Sequence, residues 1–206
     1  MLRKSLRNTW TVRYNTLMKY EHPIVCDQQL FDFVESLEGF RSKPYKDKYS
    51  YWTIGIGHNL TSNPLHNHIL HLFWPLEDQD DVIVTQEEAF RRMQKDGITH
   101  DQSKYILNDD LVDIDQELHN KFPRYQQIND DIRKMALLYM GFNLGVRGLL
   151  GFKKFGEHMA RKRYPEAAGE IVNSQWYKQV PRAAKCIETM IRYGYIPKLD
   201  DEGTAA

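Results

Sequence analysis

The chain has 206 residues, of which 41% are hydrophobic and 27% are charged. A chain of this length and composition can bury a real core, so we expect one globular domain or two closely packed lobes. Lysine plus arginine and aspartate plus glutamate number 28 each, which gives a formal net charge of +0. No overall field therefore favours a nucleic acid or a membrane surface as a partner.

Two features exclude other classes of protein. Cys26 and Cys186 are the only cysteines, and one distant pair predicts neither a disulfide framework nor a metal knuckle. Residues 1–25 lack the apolar run of a secretory signal, and no stretch of about 20 apolar residues predicts a membrane span. We therefore expect no signal peptide, no stable membrane insertion and reduced thiols in a cytosolic product.

Residues 1–28 form a basic and aromatic extension. Basic residues precede the first acid, Glu21, and aromatic residues lie among them: Arg3, Lys4, Arg7, Arg13 and Lys19, with Trp10, Tyr14 and Tyr20. Such an extension suits contact with an anionic polymer, a lipid or a protein. An arm that packs on the body, or is partly disordered, is the simpler interpretation.

Apolar periodicity predicts the first elements. Residues 29–38 begin a helix that Gly39 stops. Two short extended runs near 43–46 and 51–56 follow, and they predict a hairpin. Residues 62–84 are expected to form a loop with a turn of helix near 65–73.

Capping signals predict the helices of the second half. Thr85 with Glu88 and Thr99 with Gln102 have capping-box spacing, and the second box opens a helix of about 20 residues. Further apolar stripes predict more helices, with Asn129 as a cap, with Pro165 as a first helical residue and with a last helix over about 181–193. Strand is confined to the region near 43–60, so the predicted fold class is α+β and mainly helical.

Glu38, Asp47 and Thr53 are the candidate catalytic residues. Glu38 ends the first helix, Asp47 falls in the hairpin turn and Thr53 lies in the second strand. A hairpin folded over the helix end would place two carboxyl groups on opposite sides of a cleft, as cleavage of a glycosidic bond requires. The Thr53 hydroxyl both donates and accepts, so it can hold a water beside Asp47. The spacing alone is weak, because such acids are usually solvated charges.

The motifs around these residues resemble those of the phage-type lysozymes, the T4 class of glycoside hydrolase family 24. The resemblance rests on ordered motifs between residues 29 and 195: Glu38-Gly39-Phe40-Arg41, Tyr45-Lys46-Asp47, Trp52-Thr53-Ile54-Gly55-Ile56-Gly57-His58, Gly97-Ile98-Thr99 with Asp110, Phe142-Asn143-Leu144-Gly145, and Trp176-Tyr177 with Gln179 and Pro181. So many matches in one order make coincidence improbable and favour a catalytic role for the hairpin.

The resemblance implies a fold of two lobes. After the extension at 1–28, the lysozyme domain at 29–206 would comprise an N-terminal lobe at 29–98, an inter-lobe helix at 99–120 and a helical C-terminal lobe at 121–206. The N-terminal lobe would carry an insertion at 62–96. We expect a monomer without cofactor or metal.

The implied activity is hydrolysis of the β-1,4 bond between N-acetylmuramic acid and N-acetylglucosamine in bacterial peptidoglycan. By the resemblance, Glu38 is the general acid, Asp47 orients or activates the water, and Thr53 assists. Phe142 and Asn143 would bind sugar or peptide, and His58 would complete the binding set as a structural neighbour of the site. Family members are expected to invert the anomeric configuration.

The chain departs from the family pattern in three places. The family usually has an arginine directly before the Ala-Lys of its penultimate helix, whereas Ala183 stands there and the arginine is Arg182. One residue is about 100° around a helix, so contact between Arg182 and Glu38 stays open. The insertion at 62–96 suits a lid, a wall contact or a docking surface, and the extension at 1–28 is the third departure.

Three other signals in the sequence do not support a binding site. His66, His68 and His71 lie together in the insertion, but 66 and 68 cannot share a helical face, and no acid or cysteine pattern completes a tetrahedral set of metal ligands. Asp78, Asp80 and Asp81 resemble a calcium loop, yet the required glycine and glutamate are absent. Trp176 is expected to pack in the core rather than to form a sugar platform.

Two rival functions remain. A structural or peptidoglycan-binding protein of the virion would keep the fold and use its extension and insertion for docking. A lytic transglycosylase would release an anhydromuramic product, although the Asp47 and Thr53 pair favours water as the acceptor. A lysozyme would either accumulate in the host cytoplasm until a separately made membrane pore, a holin, releases it to the periplasm and cell wall, or be carried in the virion.

Overall fold

The computed structural model describes residues 27–74 and 84–198. Over these ranges the chain is mainly helical and has one small antiparallel sheet, so the predicted α+β class is confirmed. Most of the basic extension, Cys26 and the Asp78–Asp81 acids lie outside the described residues. None of the helices in these two ranges is both long enough and apolar enough to cross a bilayer.

The chain divides into two compact units, Met1–Val112 and Asp113–Ala206, and the division falls inside a long helix. The described elements of the first unit are α1 (Gln28–Glu38), β1 (Arg41–Lys46), β2 (Trp52–Gly55), β3 (His58–Asn59), α2 (Asn67–Phe73), α3 (Gln86–Asp96) and the start of α4 (His100–Lys121). Those of the second unit are the end of α4, a 3₁₀ turn (Tyr125–Gln127), α5 (Asp131–Leu144), α6 (Val146–Leu150), α7 (Lys153–Ala160), α8 (Tyr164–Val172), α9 (Gln175–Gln179) and α10 (Pro181–Tyr193).

Helix α1 has a cap at each end. The Asp27 side chain accepts a hydrogen bond from the Leu30 amide at 2.8 Å, which satisfies one of the unpaired donors of the first turn. Gly39 ends the helix at φ 72°, a backbone conformation that glycine adopts without the steric cost of a side chain. Glu38 is therefore the last residue of the helix.

The sheet has the strand order β1-β2-β3, and both pairings are antiparallel. Tyr45 lies opposite Thr53 in the first pairing, and Ile54 lies opposite His58 in the second. The sequence predicted β1 and β2, whereas the short strand β3 is an addition. The first pairing places Tyr45 and Thr53 directly opposite each other on neighbouring strands.

The segment between β3 and α4 contributes to the core of the first unit. Ile69 and Phe73 of α2 and Met93 of α3 are buried in one cluster with Ile54 of β2 and Ile106 of α4. Full burial of such a side chain contributes about 1.5–3 kcal/mol. The helical turn expected near 65–73 is present as the 7-residue helix Asn67–Phe73, which is longer than one turn because its apolar face is buried.

The predicted helix starts in this unit are confirmed. The Thr85 hydroxyl accepts from the Glu88 amide at 3.2 Å and caps α3. At α4 the box is reciprocal, because the Thr99 hydroxyl accepts from the Gln102 amide at 3.1 Å and the Gln102 side chain accepts from the Thr99 amide at 2.8 Å.

The second unit is built around α5. Its residues 135–141 are buried, and helix α10 spans Pro181–Tyr193 as predicted. The cap of α5 is a correction, since Asp130 rather than Asn129 accepts from the Arg133 amide, at 2.8 Å. The Arg133 guanidinium also bonds Asp130 at 2.5 Å and donates to the Ile191 carbonyl at 2.9 Å. An aspartate at 130 gains this ion pair, which an asparagine at 129 would not provide.

Candidate active site

The two candidate carboxylates lie on different elements of the first unit. Glu38 is the last residue of α1, and Asp47 directly follows β1 in the hairpin turn. Both side chains are partly buried. The structure thus places each acid on the element that the sequence predicted for it.

Asp47 is held by the backbone of its own turn. Its Oδ1 accepts hydrogen bonds from the Tyr49 amide at 2.8 Å and from the Tyr51 amide at 2.9 Å. The Asp47 amide in turn donates to the Tyr51 carbonyl at 2.9 Å. One carboxylate oxygen is therefore fixed, and the other makes no hydrogen bond within the described part of the chain.

Tyr45 connects the two acids electrostatically. Burial raises the pKa of the Tyr45 phenol, the nearby Arg41 guanidinium lowers it, and the negative charges of Glu38 and Asp47 raise it, with a net upward shift. The Arg41 guanidinium carbon lies 4.5 Å from the centre of the Tyr45 ring. Both carboxylates are thus within electrostatic range of one phenol, which stays protonated at neutral pH.

Thr53 is on the central strand, opposite Tyr45. Its side chain is buried, and its hydroxyl lies 3.4 Å from the Tyr51 carbonyl. That distance is beyond the usual range for a hydroxyl hydrogen bond, so the contact is weak. The hydroxyl can therefore change partner at small cost.

His58 forms a buried pair with Asp110. Its Nδ1 lies 2.8 Å from Oδ2 and 3.0 Å from Oδ1 of Asp110, and the Asn63 amide group donates to the same carboxylate at 2.8 Å. Burial lowers the pKa of His58, but the charge and hydrogen bond of Asp110 outweigh it, so the net pKa is raised. The His58 side chain is 4% exposed, so it presents little surface to a sugar. Its pairing with Asp110 instead joins β3 to α4.

Phe142 and Asn143 lie near the end of α5, in the second unit. Phe142 is partly buried and Asn143 is exposed. The Trp176 indole donates to Asn143 Oδ1 at 2.8 Å, which fixes the orientation of the amide. Trp176 itself is 4% exposed, so its predicted role in the core is confirmed.

The region of the family arginine also lies in the second unit. Ala183, which stands at that position, is buried on α10, whereas Arg182 is exposed in the first turn of the same helix. Because the arginine stands one residue earlier than in the family pattern, it lies on the solvent-exposed side of α10 rather than on the buried side.

Two groups of contacts were missed from the sequence. The pairing of His58 with Asp110 joins residues 52 positions apart, and no local spacing predicts it. The contacts of Asp109 with both His66 and His68 were also missed, because the sequence showed no acid or cysteine pattern near the histidines that completes a tetrahedral set. The adjacent acids at 109 and 110, on the partly apolar helix α4, were the available signal.

A glutamate at a helix end and an aspartate in a hairpin turn, both within electrostatic range of one tyrosine, fit the class of glycoside hydrolases that use two carboxyl groups. The chain matches the phage lysozyme family over residues 35–192 and belongs to that family.

Curated proteins with similar sequences agree with this assignment. The chain is 29% identical to "Probable T4-type lysozyme 1" of Dictyostelium discoideum, over 79% of this chain and 93% of that protein. It is 28% identical to "Probable T4-type lysozyme 2" of the same organism, over 80% and 94% respectively. It is also 28% identical to the pre-baseplate central spike protein Gp5 of Enterobacteria phage T4, over 76% of this chain but 26% of that protein.

Proposed function

We propose that the chain is a muramidase, which hydrolyses the β-1,4 bond between N-acetylmuramic acid and N-acetylglucosamine in peptidoglycan. The observation that carries the proposal is that Glu38, at the end of α1, and Asp47, in the hairpin turn, both act electrostatically on Tyr45 in a member of the phage lysozyme family. This reaction needs one group to protonate the leaving oxygen and a second to act at the other face of the sugar.

In this mechanism Glu38 is the general acid, and Asp47 orients or activates the attacking water. The turn amides that hold Asp47 Oδ1 orient the carboxylate before substrate arrives. The second oxygen can then accept a hydrogen bond from the attacking water, with Thr53 as a further partner. Attack by water on the face opposite the leaving group inverts the anomeric configuration.

Substrate binding is proposed for the second unit as well. The exposed Asn143 amide, oriented by Trp176, offers polar contacts to an N-acetyl group or a peptide. Phe142 offers an aromatic face beside it. His58 supports the site through its buried pair with Asp110 rather than through contact with sugar.

The test compares Glu38→Gln and Asp47→Asn with wild type on purified sacculi from a Gram-negative bacterium. A general acid contributes about 10²–10⁴-fold, so Glu38→Gln should lower the release of reducing ends by at least about 100-fold. Glu35→Gln is the matched control, because Glu35 lies one turn earlier on α1 and pairs with His100 at 2.7 Å. The control variant should keep wild-type activity.

Mass spectrometry of the soluble muropeptides distinguishes the possible reactions. Hydrolysis gives reducing N-acetylmuramic acid ends, whereas a transglycosylase gives anhydromuramic ends. Wild-type activity in Glu38→Gln, or anhydromuramic products from the wild type, would remove the proposed mechanism.

A second candidate is a component of a virion that binds the cell wall with little or no catalysis. The similarity to the central spike protein Gp5 favours it. Binding of wild-type protein to sacculi without release of reducing ends would support this candidate against the first. An active lysozyme that is carried in a particle, or released from the host cytoplasm at lysis, is compatible with the muramidase proposal.

A further inference from the structure

Three side chains of the first unit form a compact cluster apart from the carboxylates around Tyr45. His66 directly precedes α2, His68 lies in the first turn of α2, and Asp109 lies in the middle of α4. One ligand atom from each residue lies within 4.8 Å of the other two. We refer to these three residues as the His66–His68–Asp109 cluster.

The two histidines approach different oxygens of one carboxylate. His66 Nδ1 lies 2.9 Å from Asp109 Oδ2, and His68 Nε2 lies 2.7 Å from Asp109 Oδ1. The two rings are tilted by 46° with their centres 5.5 Å apart, so they are not stacked on each other. Both ring nitrogens therefore point toward the same small volume beside the carboxylate.

We propose that the His66–His68–Asp109 cluster is a binding site for a divalent transition-metal ion, with Zn²⁺ as the preferred ion. Zn²⁺ lies about 2.0–2.2 Å from nitrogen and oxygen ligands, so tetrahedral ligands are separated by about 3.4 Å. The present nitrogen to oxygen distances of 2.9 Å and 2.7 Å are shorter than this by about 0.5–0.7 Å. Small side-chain rotations provide this space.

The ligand chemistry supports the assignment to Zn²⁺. Two imidazole nitrogens and one carboxylate are a common ligand set for Zn²⁺, and they leave a fourth position for water. Without a metal, His66 Nδ1 and His68 Nε2 donate to the Asp109 carboxylate. Metal binding needs the lone pairs of these two nitrogens, so both lose their protons when the ion binds, and each ring then carries its proton on the other nitrogen. Both histidines are more than a third exposed and Asp109 is 14% exposed, so solvent reaches the cluster.

The neighbouring acid is engaged elsewhere, which leaves Asp109 as the carboxylate for the two histidines. Asp110 accepts from Asn63 and pairs with His58, and both contacts lie on its own side of α4. A bound ion would tie the start of α2 to α4 by coordinate bonds. Binding to the folded chain alone then stabilises that chain in proportion to the logarithm of metal concentration.

The experiment uses the full chain without an affinity tag, stripped with a chelator and titrated with ZnCl₂ by calorimetry. We expect one Zn²⁺ per chain and an increase in melting temperature with added metal. Asp109→Ala and His68→Ala should each weaken binding by at least about tenfold, since even outer-shell losses cost 10–100-fold. Co²⁺ in place of Zn²⁺ should give the intense visible absorption of a four-coordinate ion.

His71→Ala is the matched control, because His71 lies on α2 one turn beyond His68 and outside the cluster. This variant should bind Zn²⁺ with wild-type affinity and stoichiometry. Circular dichroism checks that all variants fold, and Asp109→Asn provides a shape-conserving second variant at the acid.

Absence of Zn²⁺ binding to the wild type would overturn the proposal and leave the cluster as a hydrogen-bonded group. Binding that is unchanged in Asp109→Ala and His68→Ala would also overturn it, since the chain has 8 histidines that can bind metal elsewhere. The result is independent of the proposed muramidase activity, because calorimetry, melting temperature and Co²⁺ absorption measure metal binding and stability rather than catalysis.

Discussion

At the scale of residues, carboxylates of this chain are held by specific donors. Asp47 accepts hydrogen bonds from two backbone amides of its own turn. Asp110 accepts a hydrogen bond from Asn63 and pairs with His58. In the second unit, Asp115 accepts a hydrogen bond from the buried Tyr125 phenol at 2.7 Å. Such charge-assisted bonds are stronger than neutral ones, and they orient the acid as well as stabilise it.

Tyr125 provides a prediction on stability and its pH dependence. Burial raises the pKa of this phenol far above its ordinary value of 10.0, and the hydrogen bond and charge of Asp115 add to the shift. The folded state therefore favours the protonated phenol, so the stabilisation is complete below pH 10 and is lost as pH rises above it. Tyr125→Phe should lower the free energy of unfolding at pH 7 by about 2 kcal/mol.

Urea denaturation of wild type and Tyr125→Phe at a series of pH values measures the difference in their free energies of unfolding. The difference between the two proteins should be constant from pH 7 to about pH 9 and should shrink above pH 10, by at most about 1.4 kcal/mol per pH unit. A difference that grows above pH 10 would show that the sign of the linkage is wrong.

At the scale of elements, helix α4 and strand β2 approach closely. Gly55 of β2 has φ 63°, and a Cβ at this position would lie 2.8 Å from Ser103 Oγ of α4. Ser103 is 1% exposed, and its hydroxyl has no hydrogen-bond partner in the described part of the chain. Glycine at 55 therefore permits both the turn of the backbone and the packing of the strand on the helix.

Gly55→Ala should lower the free energy of unfolding by about 2–4 kcal/mol, through left-handed strain and the contact with Ser103. Ser103→Ala alone should be neutral or stabilise by about 1 kcal/mol, because it removes a buried unpaired hydroxyl. In the Ser103→Ala background the cost of Gly55→Ala should fall by about 1–2 kcal/mol.

Urea denaturation of the four proteins in this cycle measures the coupling. Gly169→Ala on α8 is the control, because a Cβ there meets no atom within 4 Å, and it should stabilise the helix by about 0.5–1 kcal/mol. Strictly additive costs at 55 and 103 would exclude the proposed contact.

At the scale of the whole molecule, the balance of charge bears on how a lysozyme meets its substrate. The chain has 28 basic and 28 acidic residues, and its calculated pI is about 7.1. A protein without net charge at neutral pH has no long-range field to attract an anionic polymer. If the chain is a muramidase, its encounter with the cell wall should then depend on diffusion and short-range contacts.

Salt dependence tests this expectation. If the chain is a muramidase, its kcat/KM on soluble peptidoglycan fragments should change by less than about threefold between about 0.01 M and 0.15 M salt, over which the Debye length falls from about 30 Å to 8 Å. A decrease of tenfold or more would instead indicate a local basic patch, and the extension at residues 1–28 would be the first segment to test by neutralising its basic residues.

The sequence by itself determined the main helices, the first two strands and the place of the candidate acids on them. The capping boxes at Thr85 and Thr99, the stop at Gly39 and the span of the last helix follow from local periodicity and local hydrogen bonds. These signals act over a few residues, so they can be seen without the fold.

Only the tertiary structure decided which distant side chains meet. The pairs of His58 with Asp110 and of His68 with Asp109 join residues 52 and 41 positions apart. The electrostatic effect of Glu38 and Asp47 on Tyr45 also depends on residues from different elements. The choice of Asp130 as the cap of α5 depends on Arg133, which also contacts the distant Ile191 carbonyl. Packing of helices and strands sets such contacts, and sequence spacing does not encode them because the intervening chain can fold in many ways.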